Sequence, residues 1–320
     1  MEQQVIFLDT VHEILEQRLT ELGFMCIDGS EWPLEETKTK LKEAFGIVIR
    51  SRFPMNEALL AGAEKLQFIA RSGAGMENID EAYCEDRGIV LFNAPEGNRN
   101  AVGEQALGML LSLMNKLHTS HQEIRNGKWI RDGNRGVELD GKTVGIIGYG
   151  NNGRAFAQKL RGFDVKVLAY DKYKSGFGDD FVMEATLEAL LSKADVISFH
   201  IPQNTETIYY ANQEFFDALG KPVFLLNLSR GKIVETAAMI RAIESGKVIA
   251  AGLDVNEFEK SSFEAFFDDE ASIPDNLKYL LHSEKVLMTP HIGGWTNESY
   301  FKLSNVLADK INDWWVERQP

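Results

Sequence analysis

Between residues 143 and 160 the chain passes from a β-type run, TVGII, through Gly148-Tyr149-Gly150-Asn151-Asn152-Gly153 into a helical run, RAFAQKL. Three glycines at this spacing between strand and helix leave the backbone few arrangements. The first serves a tight turn, the second lets an anionic ligand approach the main chain, and the third permits close strand-to-helix packing. The helix then points its unpaired N–H groups at the ligand, which suits a dinucleotide pyrophosphate. Asp171 ends VLAYD, 23 residues after Gly148, near the offset of about 20 at which an acid accepts ribose hydroxyls. A carboxylate there repels a 2′-phosphate, so the expected cofactor is NAD, with Lys172 and Lys174 softening that preference.

The surrounding pattern fits such a unit. From residue 142 onward TVGIIG, VKVLAYD, DVISFH, PVFLLN, VIAAGLDV and VLMTP alternate with amphipathic runs, which supplies the six strands of a dinucleotide fold. Before it, VIFL at 5–8, GIVIRS at 46–51, LQFIARSG at 66–73 and GIVLFN at 88–93 alternate in the same way and predict a second parallel α/β layer. Residues 102–117 are apolar on nearly every side, as in a helix buried all round. Residues 119–141 are polar and carry four glycines, and are expected to form an extended arm. Residues 297–315 read as a last amphipathic helix. A chain of 320 residues accommodates two domains of ordinary size.

Charge narrows the partners. A formal net charge of −14 disfavours nucleic acid or an anionic membrane surface, because a polyanion needs clustered Lys and Arg. Cys26 and Cys84 make no disulfide framework and are expected to be buried thiols. Neither an ordinary signal peptide nor a membrane helix is expected, so the predicted location is the cytoplasm. No metal ligand set is expected.

The remaining polar residues of note stand where predicted strands end: His200, Arg230, Asp254 and His291. In open α/β sheets ligands bind at those ends. Reducing a 2-keto acid with NADH requires a cation for the carboxylate and carbonyl, an acid for the new hydroxyl, and a partner that favours the charged acid. Arg230, His291 and Glu259 can fill these roles, and histidine suits the second because its ordinary pKa of about 6.5 lies near working pH.

Taken with IRSR at 49–52, RSGAGMENID at 71–80, FNAPEGN at 92–98, HIPQNTET at 200–207, NLSRG at 227–231, GLDV at 252–255 and TPHIGG at 289–294, the chain resembles the D-isomer-specific 2-hydroxyacid dehydrogenase family. The resemblance implies two doubly wound parallel-sheet domains. A Rossmann NAD-binding domain at 98–290 would be inserted in a flavodoxin-like substrate domain made of 1–97 and 291–320, with the active site in the cleft between them. It implies Arg230, Glu259 and His291 as the catalytic residues. Around the cofactor it implies the loop Gly148, Tyr149, Gly150, Asn151, Asn152 and Gly153, then Asp171, the wall His200, Pro202 and Thr207, and finally Leu228, Ser229, Asp254 and Gly293. Ser72, Gly73, Ala74 and Gly75 would hold the substrate carboxylate. Family members are generally dimers through the cofactor domain, and the 119–141 arm with Trp129 is the expected contact for a homodimer.

Arg50, Arg52, Arg71 and Arg99, at or just past strand ends of an otherwise acidic chain, favour a phosphorylated substrate. The expected pair is D-3-phosphoglycerate and 3-phosphohydroxypyruvate, with Arg50 and Arg52 as anion contacts. A glyoxylate or hydroxypyruvate reductase is the alternative within the same chemistry, and an NAD-sensing co-repressor-like protein the alternative outside it. Several positions depart from the family pattern. Asn152 stands for isoleucine, and Lys260 for a proline after Glu259. The segment 261–283, with Phe263, Phe266 and Phe267, is longer than usual, and Glu257 is the fallback carboxylate. Asn256 stands for an aromatic residue and Trp295 for a small one. The family's C-terminal regulatory extension is not expected, nor serine feedback through it.

Overall fold

The computed structural model describes residues 3–259 and 273–318, and the chain divides into two compact units, Met1–Arg99 with Trp295–Pro320, and Asn100–Gly294. In the first unit five parallel strands, β1 (Gln4–Phe7), β2 (Met25–Asp28), β3 (Ala44–Ile49), β4 (Phe68–Arg71) and β5 (Val90–Asn93), lie in the order β2-β1-β3-β4-β5. Alternation along each strand divides the apolar residues between two faces. Val5, Phe7, Val48, Phe68, Ala70 and Phe92 serve one core, while Ile6, Leu8, Ile47, Ile49 and Ile69 serve the other.

The first of these faces is completed from the far end of the chain. Helix Asn297–Val316 buries Leu303, Leu307, Ile311 and Trp314 there, beside Leu15 and Leu19 of helix Ile14–Glu21. Its repeat of roughly four residues places those side chains on one stripe. Thr296 starts it by accepting from the Ser299 amide at 3.1 Å, and Lys310 anchors it by donating to the Asn93 carbonyl at 2.9 Å. Phe68 stands at the middle, with the rings of Phe92 and Trp314 centred 5.9 and 5.4 Å away.

The second unit is a seven-stranded parallel sheet. Its strands are β6 (Thr143–Ile147), β7 (Lys166–Tyr170), β8 (Val182–Glu184), β9 (Val196–Phe199), β10 (Val223–Asn227), β11 (Val248–Leu253) and β12 (Val286–Met288), in the order β12-β11-β10-β9-β6-β7-β8. The connection reverses direction between β6 and β9, which creates the crevice where doubly wound sheets bind ligands. Strands β9 and β10 are buried along their whole length, which explains their unbroken apolar sequences.

Three local expectations change. Strands β2 and β8 pass unannounced in the sequence because both are short edge strands with little burial. The apolar helix expected at 102–117 runs instead over Pro95–Met114, beginning on a proline that needs no N–H partner in the first turn. The expected extended arm holds a helix, Leu117–Arg125, and a short 3-10 turn at Asp132–Asn134. A left-handed Lys116, φ +52°, separates that helix from the long one. Leu117, Ile124, Trp129, Ile130 and Val137 of this segment are exposed, Trp129 to 86%. No helix among the described residues is long and apolar enough to cross a membrane.

Replacing Phe68 by Ala should destabilise the first unit by about 3–5 kcal/mol, the usual cost of removing a fully buried phenyl ring. Hydrogen exchange of β1, β3 and β4 amides checks this, with protection in the second unit as the internal reference.

Candidate active site

The glycine turn after β6 is shaped by close approach. Gly148 has φ +92°, and a Cβ there would lie 2.6 Å from the His200 carbonyl oxygen. A Cβ on Gly153 would sit on the Gly148 carbonyl oxygen, so the helix Asn151–Lys159 abuts the turn only with glycine at that position. Beside Gly150 there is open space, and the helix has no side-chain cap at its N-terminus. Its first-turn N–H groups face outward without a partner from a capping residue, which suits a pyrophosphate.

Asp171, at the end of β7, accepts from the Tyr149 amide at 2.8 Å through Oδ2 and from the Tyr173 and Lys174 amides at 3.0 and 3.1 Å through Oδ1. The acid is thereby fixed against the glycine turn. Lys172 is drawn away to Glu206 at 2.7 Å, where the Tyr173 hydroxyl also donates at 2.6 Å. That contact ties the loop after β7 to the turn after β9, in which Thr207 Oγ1 donates to the Pro202 carbonyl at 2.7 Å. Asn152 keeps its Oδ1 buried without a partner, while Tyr149 is buried and stacks on Phe177 at 4.7 Å. His200 pairs Nε2 with Ser198 Oγ at 2.8 Å. Burial pushes its pKa down to about 3, so the ring is neutral.

Strands β10, β11 and β12 are neighbours in a parallel sheet and end on one edge. At the first end, buried Asn227 folds the chain back by accepting from Ser229 N and Oγ at 3.1 and 2.8 Å and donating to the Arg230 carbonyl at 2.9 Å. Arg230 Nη1 donates to the Ser229 carbonyl at 2.7 Å, and Leu228 is buried in the core. After β11, Glu257 accepts from the Thr236 amide at 3.2 Å and so belongs to the start of helix Thr236–Glu244. The carboxylate that meets the histidine is Glu259, whose Oε2 lies 3.0 Å from His291 Nδ1. A carboxylate can only accept there, so Nδ1 carries the proton. Lys260 and residues 261–272, with Phe263, Phe266 and Phe267, lie outside the described residues; 273–283 include helix Asp275–His282.

His291 adopts φ +52°, a conformation that costs a side-chain-bearing residue on the order of 1 kcal/mol and must be held by its surroundings. Asp254 holds it. Its carbonyl accepts from His291 N at 2.9 Å. Its carboxylate, 1% exposed, accepts from Gln105 Nε2 at 2.8 Å, Thr289 Oγ1 at 2.5 Å, Ile292 N at 2.9 Å and Gly293 N at 2.6 Å. Three of these bonds fall on Oδ1 and one on Oδ2, which leaves a lone pair of Oδ2 for a further donor.

In the first unit, Asp9 Oδ2 accepts from the amides of Arg50, Ser51 and Arg52 at 2.7, 3.0 and 3.2 Å and folds the loop after β3. Ser72 N donates to the Ile49 carbonyl at 2.8 Å and Arg71 Nε to the Arg50 carbonyl at 3.1 Å, so the loops after β3 and β4 are neighbours. The Gly73 and Ala74 carbonyls are occupied by Ala94 N and Asn93 Nδ2 at 2.9 and 2.8 Å. Among the described residues the Ala74 and Gly75 N–H groups make no internal hydrogen bond, which leaves them for an anion. Arg52 is engaged within its own unit: its guanidinium donates through Nη1 to the carbonyls of Leu8 and Gly29 at 3.4 and 3.0 Å and through Nη2 to that of Trp32 at 2.7 Å, and so ties together the loops after β1 and β2.

Two doubly wound parallel units, with a glycine turn, an acid and a histidine-carboxylate pair at the strand ends, define a dinucleotide-dependent enzyme class, and comparison with known proteins identifies which one. A family model described as D-isomer specific 2-hydroxyacid dehydrogenase, NAD binding domain, matches residues 107–293. The chain belongs to the D-isomer-specific 2-hydroxyacid dehydrogenase family, whose members are NAD-dependent oxidoreductases acting on CH–OH groups. It is 35% identical over 279 residues to a D-3-phosphoglycerate dehydrogenase of Archaeoglobus fulgidus, covering 87% of this chain and 50% of that one. The chain thus spans about half the length of the curated phosphoglycerate dehydrogenases it matches. A hydroxypyruvate reductase of Thermotoga maritima is 32% identical over 278 residues, 87% of each chain. Among solved structures, a D-lactate dehydrogenase of Aquifex aeolicus complexed with NAD and lactic acid superposes with a TM-score of 0.81 at 27% identity, covering 98% of this chain and 95% of that one.

Residues missed in the sequence are those that position the others. Gln105, Asn227, Thr289 and Asp9 make the hydrogen bonds that set the loops, yet none stands in a pattern of its own. Asn227 and Thr289 do lie within the quoted NLSRG and TPHIGG runs, which is the one local signal available.

Neutral His200 gives an acid-side prediction. Its folded pKa lies below the ordinary 6.5, so stability is complete above that value and is lost as the pH falls below it, where the unfolded chain takes up a proton that the buried ring refuses. His200→Asn should therefore show a shallower fall of unfolding free energy between pH 6.5 and 4 than the parent. Identical slopes would remove His200 from the acid response.

Proposed function

We propose that this protein transfers a hydride between NAD and C2 of a small D-2-hydroxy or 2-keto acid. The observation that carries the reading is the His291–Glu259 pair, 3.0 Å apart at the end of the sheet, in a unit that also holds the glycine turn and Asp171. The start of helix Asn151–Lys159 would hold the pyrophosphate of NAD, Asp171 its ribose hydroxyls and Asp254 its nicotinamide end, and the cofactor would supply the hydride donor or acceptor.

The protein's own groups handle the proton and the charge. Glu259 keeps the Nδ1 proton of His291 in place and stabilises the ring when it is charged, so Nε2 gives a proton to the substrate oxygen during reduction and takes one during oxidation. Arg230 draws the carbonyl oxygen and carboxylate of the substrate, favouring negative charge on oxygen as the hydride arrives. The Ala74 and Gly75 amides receive a carboxylate.

The substrate pair favoured here is D-3-phosphoglycerate and 3-phosphohydroxypyruvate, supported by Arg50 beside the Ser72–Gly75 loop and by the likeness to phosphoglycerate dehydrogenases. The engagement of Arg52 with three carbonyls reduces the cations left for a phosphate and gives weight to a second reading, a hydroxypyruvate or glyoxylate reductase. Values of kcat/KM for 3-phosphohydroxypyruvate, hydroxypyruvate and glyoxylate decide between them. NADH binding with turnover of none of the three would instead mark a sensor of the co-repressor kind. The exposed apolar residues of the arm, Trp129 foremost, support a homodimer through this segment.

His291→Ala should retain NADH binding and lose most of kcat. A loss under tenfold, about 1.4 kcal/mol in barrier height, would end the acid-base assignment. Glu259→Gln should lower kcat less than His291→Ala, because an amide still orients the ring but no longer stabilises its charge. An unchanged kcat would detach Glu259 from the proton transfer.

A further inference from the structure

The loop arginines differ in what takes up their N–H groups. Arg52 is bound by three backbone carbonyls and Arg71 donates Nε to the Arg50 carbonyl. Arg50 has its backbone fixed on both sides, by Asp9 at its amide and Arg71 at its carbonyl. Its guanidinium donates to no acceptor among the described residues. It lies over the indole of Trp295, with Cζ 4.3 Å from the ring centroid. Burial pulls its pKa below the ordinary value, opposed by the Asp9 carboxylate. A partly dehydrated guanidinium with one face on an aromatic ring keeps its in-plane donors open, and those donors match two oxygens of a phosphate or carboxylate.

Trp295 is unusual in its own right. It is 57% exposed and stands just before Thr296, the cap of the last helix. Tyr300, one turn into that helix, has its ring 6.4 Å away. The indole thus stands next to the capped start of that helix. The ring covers one face of the guanidinium, and the N–H donors an anion can meet lie in its plane. In a chain of net charge −14 such local orientation matters, since the overall field repels anions.

We propose that Trp295 is a specificity-determining, positioning residue, which seats Arg50 so that its in-plane N–H groups receive the anionic substituent at C3 of the substrate. The inference rests on the reading that Arg50 meets the substrate anion. It deepens that reading by making discrimination between phosphorylated and unphosphorylated 2-keto acids depend on an aromatic ring at position 295.

The test uses the full chain with NADH and compares Trp295→Ala, Trp295→Phe and Arg50→Ala on 3-phosphohydroxypyruvate and glyoxylate. Trp295→Ala should raise KM for the phosphorylated substrate about three- to fivefold more than KM for glyoxylate, the scale of one partly exposed cation–π contact. Trp295→Phe, which keeps a ring beneath the guanidinium, should restore most of the discrimination. If Arg50→Ala leaves KM for the phosphorylated substrate unchanged, the underlying reading of Arg50 falls. If Arg50→Ala is selective while Trp295→Ala affects both substrates equally or neither, the role of Trp295 alone falls. A binding measurement stands beside the kinetics. The emission difference between parent and Trp295→Phe should shift when 3-phosphoglycerate is added without cofactor, and no shift at saturating ligand would also overturn the proposal.

Discussion

The carboxylate of Asp254 holds the end of the second sheet together. Buried to 1% exposure, it takes four hydrogen bonds, from a helix side chain, a threonine hydroxyl and two successive amides. A buried carboxylate is costly unless its lone pairs are met, and here they are met by the turn that carries His291. The left-handed conformation of that histidine would relax without those bonds. Its distance to Glu259, on which the proposed proton transfer depends, thus follows from an acid that performs no proton transfer itself.

A second constraint operates in the first unit, where chain order and spatial order part company. The face formed by Val5, Val48, Phe68 and Phe92 is covered by residues more than two hundred positions away, on helix Asn297–Val316. Residues 1–99 bring Leu15, Leu19 and Phe24 to that core, and the distant helix brings Leu303, Leu307, Ala308, Ile311 and Trp314. The same helix carries Trp295 and Tyr300 at its start, so the element that closes the core also presents the ring on which Arg50 rests.

Much of this was legible beforehand because the signals were local. The central strands of both sheets announce themselves as apolar runs, since central parallel strands are buried on both faces, and the edge strands β5 and β12 are apolar enough to be read as well. The glycine turn requires a conformation and a closeness that only glycine allows, and Asp171 follows at a spacing set by one strand and one helix. The two missed strands lie at sheet edges, where burial is slight and the pattern correspondingly weak. The arm between 119 and 141 is polar and largely exposed, and composition alone does not distinguish a short surface helix there from an extended segment.

For the candidate site, the residue types were readable and their partners were not. Arg230, Glu259 and His291 stand in motifs at strand ends, and Glu259 follows Asp254 at a fixed interval. Whether Glu257 or Glu259 meets the histidine depends on which of them the start of helix Thr236–Glu244 claims, and that is a contact across 21 residues. Arg50 and Arg52 look equivalent in IRSR, two residues apart on one loop. They diverge because carbonyls from two other loops converge on Arg52, whereas an indole from the far end of the chain lies beneath Arg50. By itself the sequence determined the fold class and the cofactor, which rest on short-range spacing and burial patterns. The tertiary structure decided which carboxylate lies beside the histidine and which arginine the backbone carbonyls engage, because hydrogen-bond partners are assigned by proximity between segments that are distant in the chain.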